Sequence, residues 1–212
     1  SFIRIGDGEI GLLNGGQVSY QKYEKLLADN IRLCITNYSN KTSYLLAIPS
    51  FVEYTNQDLK QTKGGLVCWL PLKVMYRQIF NKNAKYVDAH FFYYKKNVDI
   101  LIEKYLFKKN LVINTTEENF KKISSGNRKL NILKYVEAVS PNPFVRFDST
   151  KDEIQDAIDS YKGDKKDIVI ILSSGPMSKA LAYFFSMQSV QCIDIGLGIE
   201  QFNENFNLET TI

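Results

Sequence analysis

The chain has 212 residues and is 44% hydrophobic, so it can bury the core of one large α/β domain or of two small ones. Its net charge of +4 and pI of about 8.8 are compatible with an anionic ligand but too weak to indicate nucleic-acid binding. No apolar run approaches the roughly 18 residues of a spanning helix, and three scattered cysteines favour free thiols in a reducing compartment. We expect one domain over residues 1–212, which starts without Met and is therefore a candidate fragment of a longer chain.

Strand-like and helix-like patterns alternate along the chain. In order, they predict strand 2–5, helix 20–37, strand 44–48, helix 66–80, strand 86–94, helix 98–107, strand 110–115, helix 117–123, strand 132–139, helix 150–161, strand 167–172, helix 177–187 and strand 190–195. Such alternation is typical of an α/β, Rossmann-like fold with a mostly parallel sheet and helices on both faces. Ligands of these sheets bind at the carboxyl ends of the strands.

An acidic motif follows the first predicted strand. In an extended segment Asp7 and Glu9 would point to the same face, where two carboxylates suit a divalent cation such as Mn²⁺ or Mg²⁺. Gly6 and Gly8 would let a ligand approach the backbone, and the planar fork of Arg4 suits a phosphate. The motif therefore indicates a metal and nucleotide site. An ordinary surface turn is the alternative, and the apolar flanks keep both interpretations open.

A second site signal lies between strand 167–172 and helix 177–187. Ser174 and Gly175 form the connection, and Pro176 suits the first helical position. The free amides of the first helical turn, with Ser178 and Lys179, could hold a phosphate. A plain strand-to-helix connection capped by serine is the alternative. The string matches neither a Walker loop nor a dinucleotide fingerprint.

Three other polar residues are weaker candidates. Asp194 ends the last predicted strand, where a carboxylate could bind a ribose or sugar hydroxyl or act as a base, with a cap or turn role as the alternative. Asn142 lies in a turn that would reach the same edge of the sheet and could read a base or a sugar, although we favour a plain turn. For His90, the only histidine, we favour a core or edge role over catalysis.

The motifs resemble those of a known family. The chain is similar to the GT-D glycosyltransferases, first catalogued as DUF1792, in five blocks: Arg4–Glu9, Tyr20–Gln21, Ser174–Pro176, Leu181–Ala182 and Ile193–Gly196. The blocks run across nearly the whole chain, and the first and the last are the specific ones.

The resemblance implies a Rossmann-like enzyme that moves a hexose from a nucleotide diphosphate sugar, typically a UDP-sugar, to a glycan or glycoprotein acceptor. The D-x-E motif of the family falls on Asp7 and Glu9 and implies Mn²⁺ or Mg²⁺ there. Arg4 and the 175–178 amides would stabilise the diphosphate, while Asp194 and Asn142 would orient the ribose, base or sugar. We expect a bacterial cytoplasmic protein, with peripheral association at the inner face of the membrane as a minor alternative.

One departure from the family concerns the catalytic base. Leu197 stands where the family usually has histidine, so Glu200 is the remaining candidate to deprotonate the acceptor. The aromatic segment 91–94 could stack on acceptor sugars. Two other classes stay open: a non-catalytic nucleotide-sugar or glycan-binding module of the same fold, and a phosphohydrolase that uses the two carboxylates.

Overall fold

The computed structural model describes residues 1–126 and 129–203. The strands of its sheet are Phe2–Arg4 (β1), Leu45–Ile48 (β2), Val87–Asp88 (β3), Asn110–Thr115 (β4), Asn131–Glu137 (β5), Ile168–Leu172 (β6) and Gln191–Asp194 (β7). The α-helices are Asp7–Leu13 (α1), Lys25–Thr36 (α2), Asn56–Gln61 (α3), Gly65–Ile79 (α4), Lys95–Lys104 (α5), Glu117–Ser125 (α6), Phe147–Ser160 (α7) and Met177–Met187 (α8).

The sheet is parallel throughout, in the order β3-β2-β1-β7-β6-β4-β5. Every residue of β6 is buried, as expected of a strand that is covered on both faces. Its side chains alternate between two hydrophobic cores, with Ile170 on the α8 side and Ile171 on the α5 side. The predicted α/β class, parallel sheet and two helical layers are therefore confirmed.

A crevice opens between β1 and β7. These strands share a single paired position, Phe2 opposite Ile193. Beyond that pair the carboxylate of Asp194 accepts the backbone N–H of Arg4 at 3.2 Å, in place of a further ladder bond. From β1 the chain continues outward to β2 and β3 on one side of the crevice, whereas β4 to β7 lie on the other side. Open α/β sheets bind ligands at such a change in strand order.

Two predicted segments are wrong in the structure. The acidic motif is not extended, because the Glu9 side chain accepts the backbone N–H of Gly6 at 2.7 Å and so caps helix α1, which starts at Asp7. The predicted strand 86–94 shrinks to the two residues of β3, followed by a 3₁₀ turn at Phe91–Tyr93. The chain turns there because the carboxylate of Asp88 accepts the backbone N–H of His90 at 3.0 Å.

Other elements agree more closely with the sequence patterns. The predicted strand 110–115 and helix 177–187 have the bounds of β4 and α8, while α3 was not predicted. The helix predicted at 150–161 begins three residues earlier, at Phe147. Within the described ranges, none of the helices combines the length and the apolar character that crossing a membrane requires.

Candidate active site

A cavity lies at the carboxyl edge of the sheet, over the crevice. Loops that follow β1, β2, β3, β6 and β7 line it, together with Tyr20 and Trp69. Arg4 lies at the end of β1, and the segment after β1 contributes residues 6–9. The segments after β2 and β3 contribute residues 49 and 51, and 89, 90 and 93, respectively. The segment after β6 contributes residues 175 and 179, and that after β7 contributes residue 196. Five separate strand ends thus converge on one site, where the topology predicts a ligand.

The first turn of α1 brings both acidic residues of the motif to this cavity. Glu9 is buried and its Oε2 accepts the backbone N–H of Gly6 at 2.7 Å, whereas Asp7 is exposed. Both residues still line the cavity, although successive helical positions, and not the alternation of a strand, place them there. The two carboxylates consequently differ in environment, and only that of Asp7 is open to solvent.

Beneath the cavity lies a buried ionic cluster of Glu9, Lys179 and Asp194. The Lys179 ammonium is 3.3 Å from Glu9 Oε1 and 3.0 Å from Asp194 Oδ2, and it donates to the carbonyl of Gly175 at 3.1 Å. Burial acts to lower the pKa of Lys179, but the carboxylates of Asp194 and Glu9 outweigh it and raise the pKa above its ordinary value. Lys179 is therefore a fixed positive charge that joins α1, α8 and β7.

Arg4 supplies a second positive charge, on the other side of the crevice. Its Nη1 donates to Tyr93 Oη at 2.8 Å and to the Ala89 carbonyl at 3.4 Å, and the guanidinium lies 5.1 Å from the centre of the Tyr93 ring. Burial acts to lower the pKa of Arg4, while Asp194 and Tyr93 raise it to above its ordinary value. A planar cation held in this way suits a phosphate group at the cavity.

The loop between β6 and α8 differs from the predicted phosphate site. Gly175 lines the cavity, with its backbone in the left-handed region and the ring of Tyr20 against it. Ser174 and Ser178 are buried and bond to each other, their hydroxyl oxygens 3.0 Å apart. The backbone N–H groups of Ser178 and Lys179 already donate to the carbonyls of Gly175 and Pro176. Ser174, Pro176 and Ser178 therefore shape the loop, and Gly175 and Lys179 are its residues that line the cavity.

Three other predicted site residues do not line the cavity. Asn142 lies in an adjacent small cavity, where its Oδ1 accepts the backbone N–H of Lys22 and so fastens the segment that carries Tyr20. Glu200 lies on the α6 side, where its charge adds to that of Glu118 in raising the pKa of Lys122.

The third of these residues, Asp194, lies beneath the cavity and does not line it. Its side chain is fully buried, and its Oδ2 is taken up by Lys179 and by the backbone of Arg4. A direct contact with a ribose or sugar hydroxyl therefore does not fit this side chain. Instead its charge holds the two cations of the site in place.

A divalent metal fits Asp7 better than Glu9. Mg²⁺-type ions are commonly held by one or two carboxylates together with substrate phosphates, which the open carboxylate of Asp7 would allow. Both oxygens of Glu9 already have partners, Lys179 and Gly6. In residues 1–126 and 129–203 no cluster of three metal-ligating side chains occurs, so the donor would have to complete the coordination. The metal stays a prediction.

Aromatic side chains form the remaining walls of the cavity. Phe51 and Trp69 lie with their ring centres 4.9 Å apart, and Tyr20 and Tyr93 face the cavity with part of their surface exposed. Sequence reasoning missed Phe51 and Trp69, which belong to no site motif, and it favoured a structural role for His90. The structure places His90 on the cavity wall, half-exposed and beside Asp88.

Together, the crevice, the two fixed cations, the open carboxylate and the aromatic walls define an α/β enzyme site for an anionic, nucleotide-type ligand. The sequence model of one family, described as "Glycosyltransferase GT-D fold", matches residues 2–210. The chain belongs to this family, and its reaction class is glycosyl transfer.

Solved structures agree with the fold of the family. One, described as "A New Glycosyltransferase (DUF1792) from Streptococcus sanguinis", is 18% identical with a TM-score of 0.71, over 95% of this chain and 76% of the other. Another, described as having "a distinct glycosyltransferase fold", is 21% identical with a TM-score of 0.70, over 95% and 74%. A selenomethionine structure of the same domain of unknown function 1792 gives 19% and 0.72, also over 95% and 74%. No curated protein gives a significant match.

Proposed function

We propose that this glycosyltransferase uses a UDP-hexose as donor, depends on a divalent metal, and transfers the hexose to a glycan or glycoprotein acceptor. The observation that carries the proposal is the position of Arg4 and Lys179 on two sides of a cavity that also exposes the carboxylate of Asp7. A nucleotide diphosphate sugar offers negative charge for the cations and flat rings for the aromatic walls.

Each group has a distinct part in this reaction. Arg4 would bind the diphosphate and stabilise the negative charge that develops on it as the sugar leaves. Asp7 would hold Mn²⁺ or Mg²⁺, and the bound metal would supply further neutralisation of the leaving diphosphate. Lys179 offsets part of the negative charge of the buried carboxylates of Glu9 and Asp194, which reduces their repulsion of the donor.

A non-catalytic nucleotide-sugar or glycan-binding module is the second candidate. The observation that favours it is that neither the position at which the family has histidine nor Glu200 supplies a base to the cavity. Leu197 is 59% exposed and apolar, and Glu200 lies on the α6 side. A cytoplasmic location and peripheral association with an anionic membrane stay predictions from the sequence.

The test is UDP release from a panel of UDP-hexoses, with Mn²⁺ or with EDTA and with simple sugar acceptors added. We expect release with one hexose and Mn²⁺, and a loss of at least about 100-fold in Asp7→Asn. Glu9→Gln keeps a side chain that can cap α1, and we expect it to respond to Mn²⁺ as the wild type does. Asp156→Asn, an exposed acid on α7, is the matched control.

The outcomes separate the candidates. Equal turnover in EDTA and in Mn²⁺ would contradict the proposed metal dependence. Release of inorganic phosphate in place of UDP would indicate a phosphohydrolase. UDP-hexose binding in calorimetry without turnover of any acceptor would favour the binding module.

A further inference from the structure

The proposed transfer needs a group that accepts the proton of the acceptor hydroxyl. Among the charged residues of the cavity, Arg4 and Lys179 are cations with raised pKa values and cannot serve as bases. Glu9 is paired with Lys179, and the proposed role of Asp7 is to hold the metal at the diphosphate. One titratable side chain of the cavity wall, His90, has no part in the donor site.

The loop after β3 holds this imidazole in a defined orientation. Asp88 Oδ1 accepts the backbone N–H of His90 at 3.0 Å and lies 3.2 Å from its Nδ1. Because a carboxylate accepts hydrogen bonds, this contact assigns the proton of the neutral ring to Nδ1. Nε2 then carries the free lone pair. A base whose second nitrogen is oriented by a carboxylate is the arrangement that general-base catalysis requires.

The same loop connects His90 to the cation that binds the diphosphate. The ring of His90 packs edge-on against Tyr93, with the ring centres 5.0 Å apart. Tyr93 Oη and the carbonyl of Ala89 both accept hydrogen bonds from Arg4 Nη1. The imidazole and the guanidinium are thus fixed relative to each other on the wall of one cavity.

We propose that His90, oriented by Asp88, is the general base that deprotonates the acceptor hydroxyl. This assignment rests on the proposed function. The acceptor oxygen forms a bond to the anomeric carbon while its proton passes to Nε2. The bond from the anomeric carbon to the diphosphate oxygen breaks, and its electron pair leaves with the nucleoside diphosphate. The imidazolium then returns its proton to solvent.

Charged groups face His90 from several elements. Asp88 on β3 lies 3.2 Å from Nδ1 of the ring, and Arg4 on β1 bonds to Tyr93, whose ring contacts the imidazole. The ring of Tyr93 in the following 3₁₀ turn packs edge-on against the imidazole. The other charged residues of the same cavity are Asp7 and Glu9 on α1 and Lys179 on α8.

The chain offers a clean test, because His90 is its only histidine and gives a single imidazole signal in NMR. We expect kcat/KM of the wild type to fall on the acid side with the midpoint at which the imidazole of the free enzyme titrates. His90→Gln should lower kcat by about 100-fold or more, leave the donor KM unchanged and abolish this acid limb. Asp88→Asn should cause a smaller loss of kcat and keep the acid limb, because the imidazole remains but loses the carboxylate that orients it.

The melting temperature is the control for a purely structural role. The His90 side chain is 42% exposed, so His90→Gln should have the same melting temperature as the wild type. A wild-type kcat in His90→Gln, or an acid limb that persists in this variant, would contradict the assignment of His90 as the general base. Failure of the proposed function looks different, since the wild type would then turn over no donor. In that case an imidazole signal that saturating UDP-hexose and acceptor sugar do not move would overturn the base on its own.

Discussion

Lys179 is the residue on which the chemistry of this site depends most. Its side chain is 2% exposed and lies between two carboxylates that are equally buried, Glu9 and Asp194. A buried charge is tolerated only when it is paired and hydrogen-bonded, and here each of the three charges depends on the others. The cluster therefore couples the donor cavity to the stability of the fold.

Replacing Lys179 by Met should lower the free energy of unfolding by about 3–5 kcal/mol, because two carboxylates would remain buried without a cation. Denaturant unfolding in EDTA measures this effect without the metal. Lys165→Met is the control, since the ion pair of Lys165 with Asp159 is exposed and such pairs contribute little. Equal free energies of unfolding for the two variants would contradict a stabilising role of the Lys179 ion pairs.

The pH dependence of this effect has a defined sign. The pKa of Lys179 is raised in the folded state, so its stabilisation is complete below the unfolded value of about 10.4 and is lost as pH rises through the folded pKa. The stability difference between the wild type and Lys179→Met should therefore be constant between about pH 7 and pH 9 and shrink above about 10.4. A difference that shrinks near neutral pH would show that another group dominates.

Glycine positions determine how closely the elements approach each other at the site. Gly196 begins the 3₁₀ segment Gly196–Asn203 with φ +53°, and a Cβ there would lie 2.6 Å from Arg4 Nη2. The backbone after β7 is thus one wall of the space in which the guanidinium of Arg4 lies. A side chain at this position would be strained, because the backbone conformation favours glycine and the space is already occupied by the guanidinium.

We expect Gly196→Ala to displace the Arg4 side chain and to weaken UDP binding by about tenfold or more, as measured by calorimetry. Gly11→Ala in α1 is the matched control, because a Cβ at Gly11 meets nothing within 4 Å. This control should bind UDP normally and gain about 0.5–1 kcal/mol of stability. Normal UDP binding by Gly196→Ala would show that Arg4 does not depend on this glycine.

At the level of elements, local patterns were sufficient where one force dominates. The apolar run of β6 and the apolar periodicity of α8 predicted those elements because burial alone determines them. The acidic motif was misassigned because a glutamate three residues after Gly6 can also accept the Gly6 backbone N–H and start a helix, and this bond outweighed the extended conformation. In the segment 86–94, aromatic residues favour a strand, but the Asp88 side chain ends it.

For the molecule as a whole, the site depends on contacts between distant parts of the chain. Asp194 and the backbone of Arg4 are 190 positions apart, yet they meet across the crevice. The motifs predicted that the ends of β1, β6 and β7 would supply residues, because parallel strands share one edge, but they did not predict those of β2 and β3. They could not predict that Lys179 would pair with Glu9 or that His90 would face the same cavity, since these contacts exist only once the sheet order is fixed.

The order in which the three thiols react would report on the packing of the whole fold. Cys68 on α4 is exposed, whereas Cys34 and Cys192 are buried in one core shared by α2, α8 and the sheet. Burial raises the pKa of the Cys192 thiol to about 12 and raises that of Cys34 as well, so neither forms the reactive thiolate near neutral pH.

A thiol-reactive dye should therefore label one cysteine of the native protein rapidly and all three only after unfolding. Cys68→Ser should remove the rapid phase and leave the melting temperature unchanged. If UDP-hexose binds across the crevice, it should further slow the labelling of Cys34 and Cys192, because a ligand that binds only the folded state suppresses the unfolding that exposes them. Rapid labelling of two or more thiols in the native protein would contradict the continuous core on which the site is built.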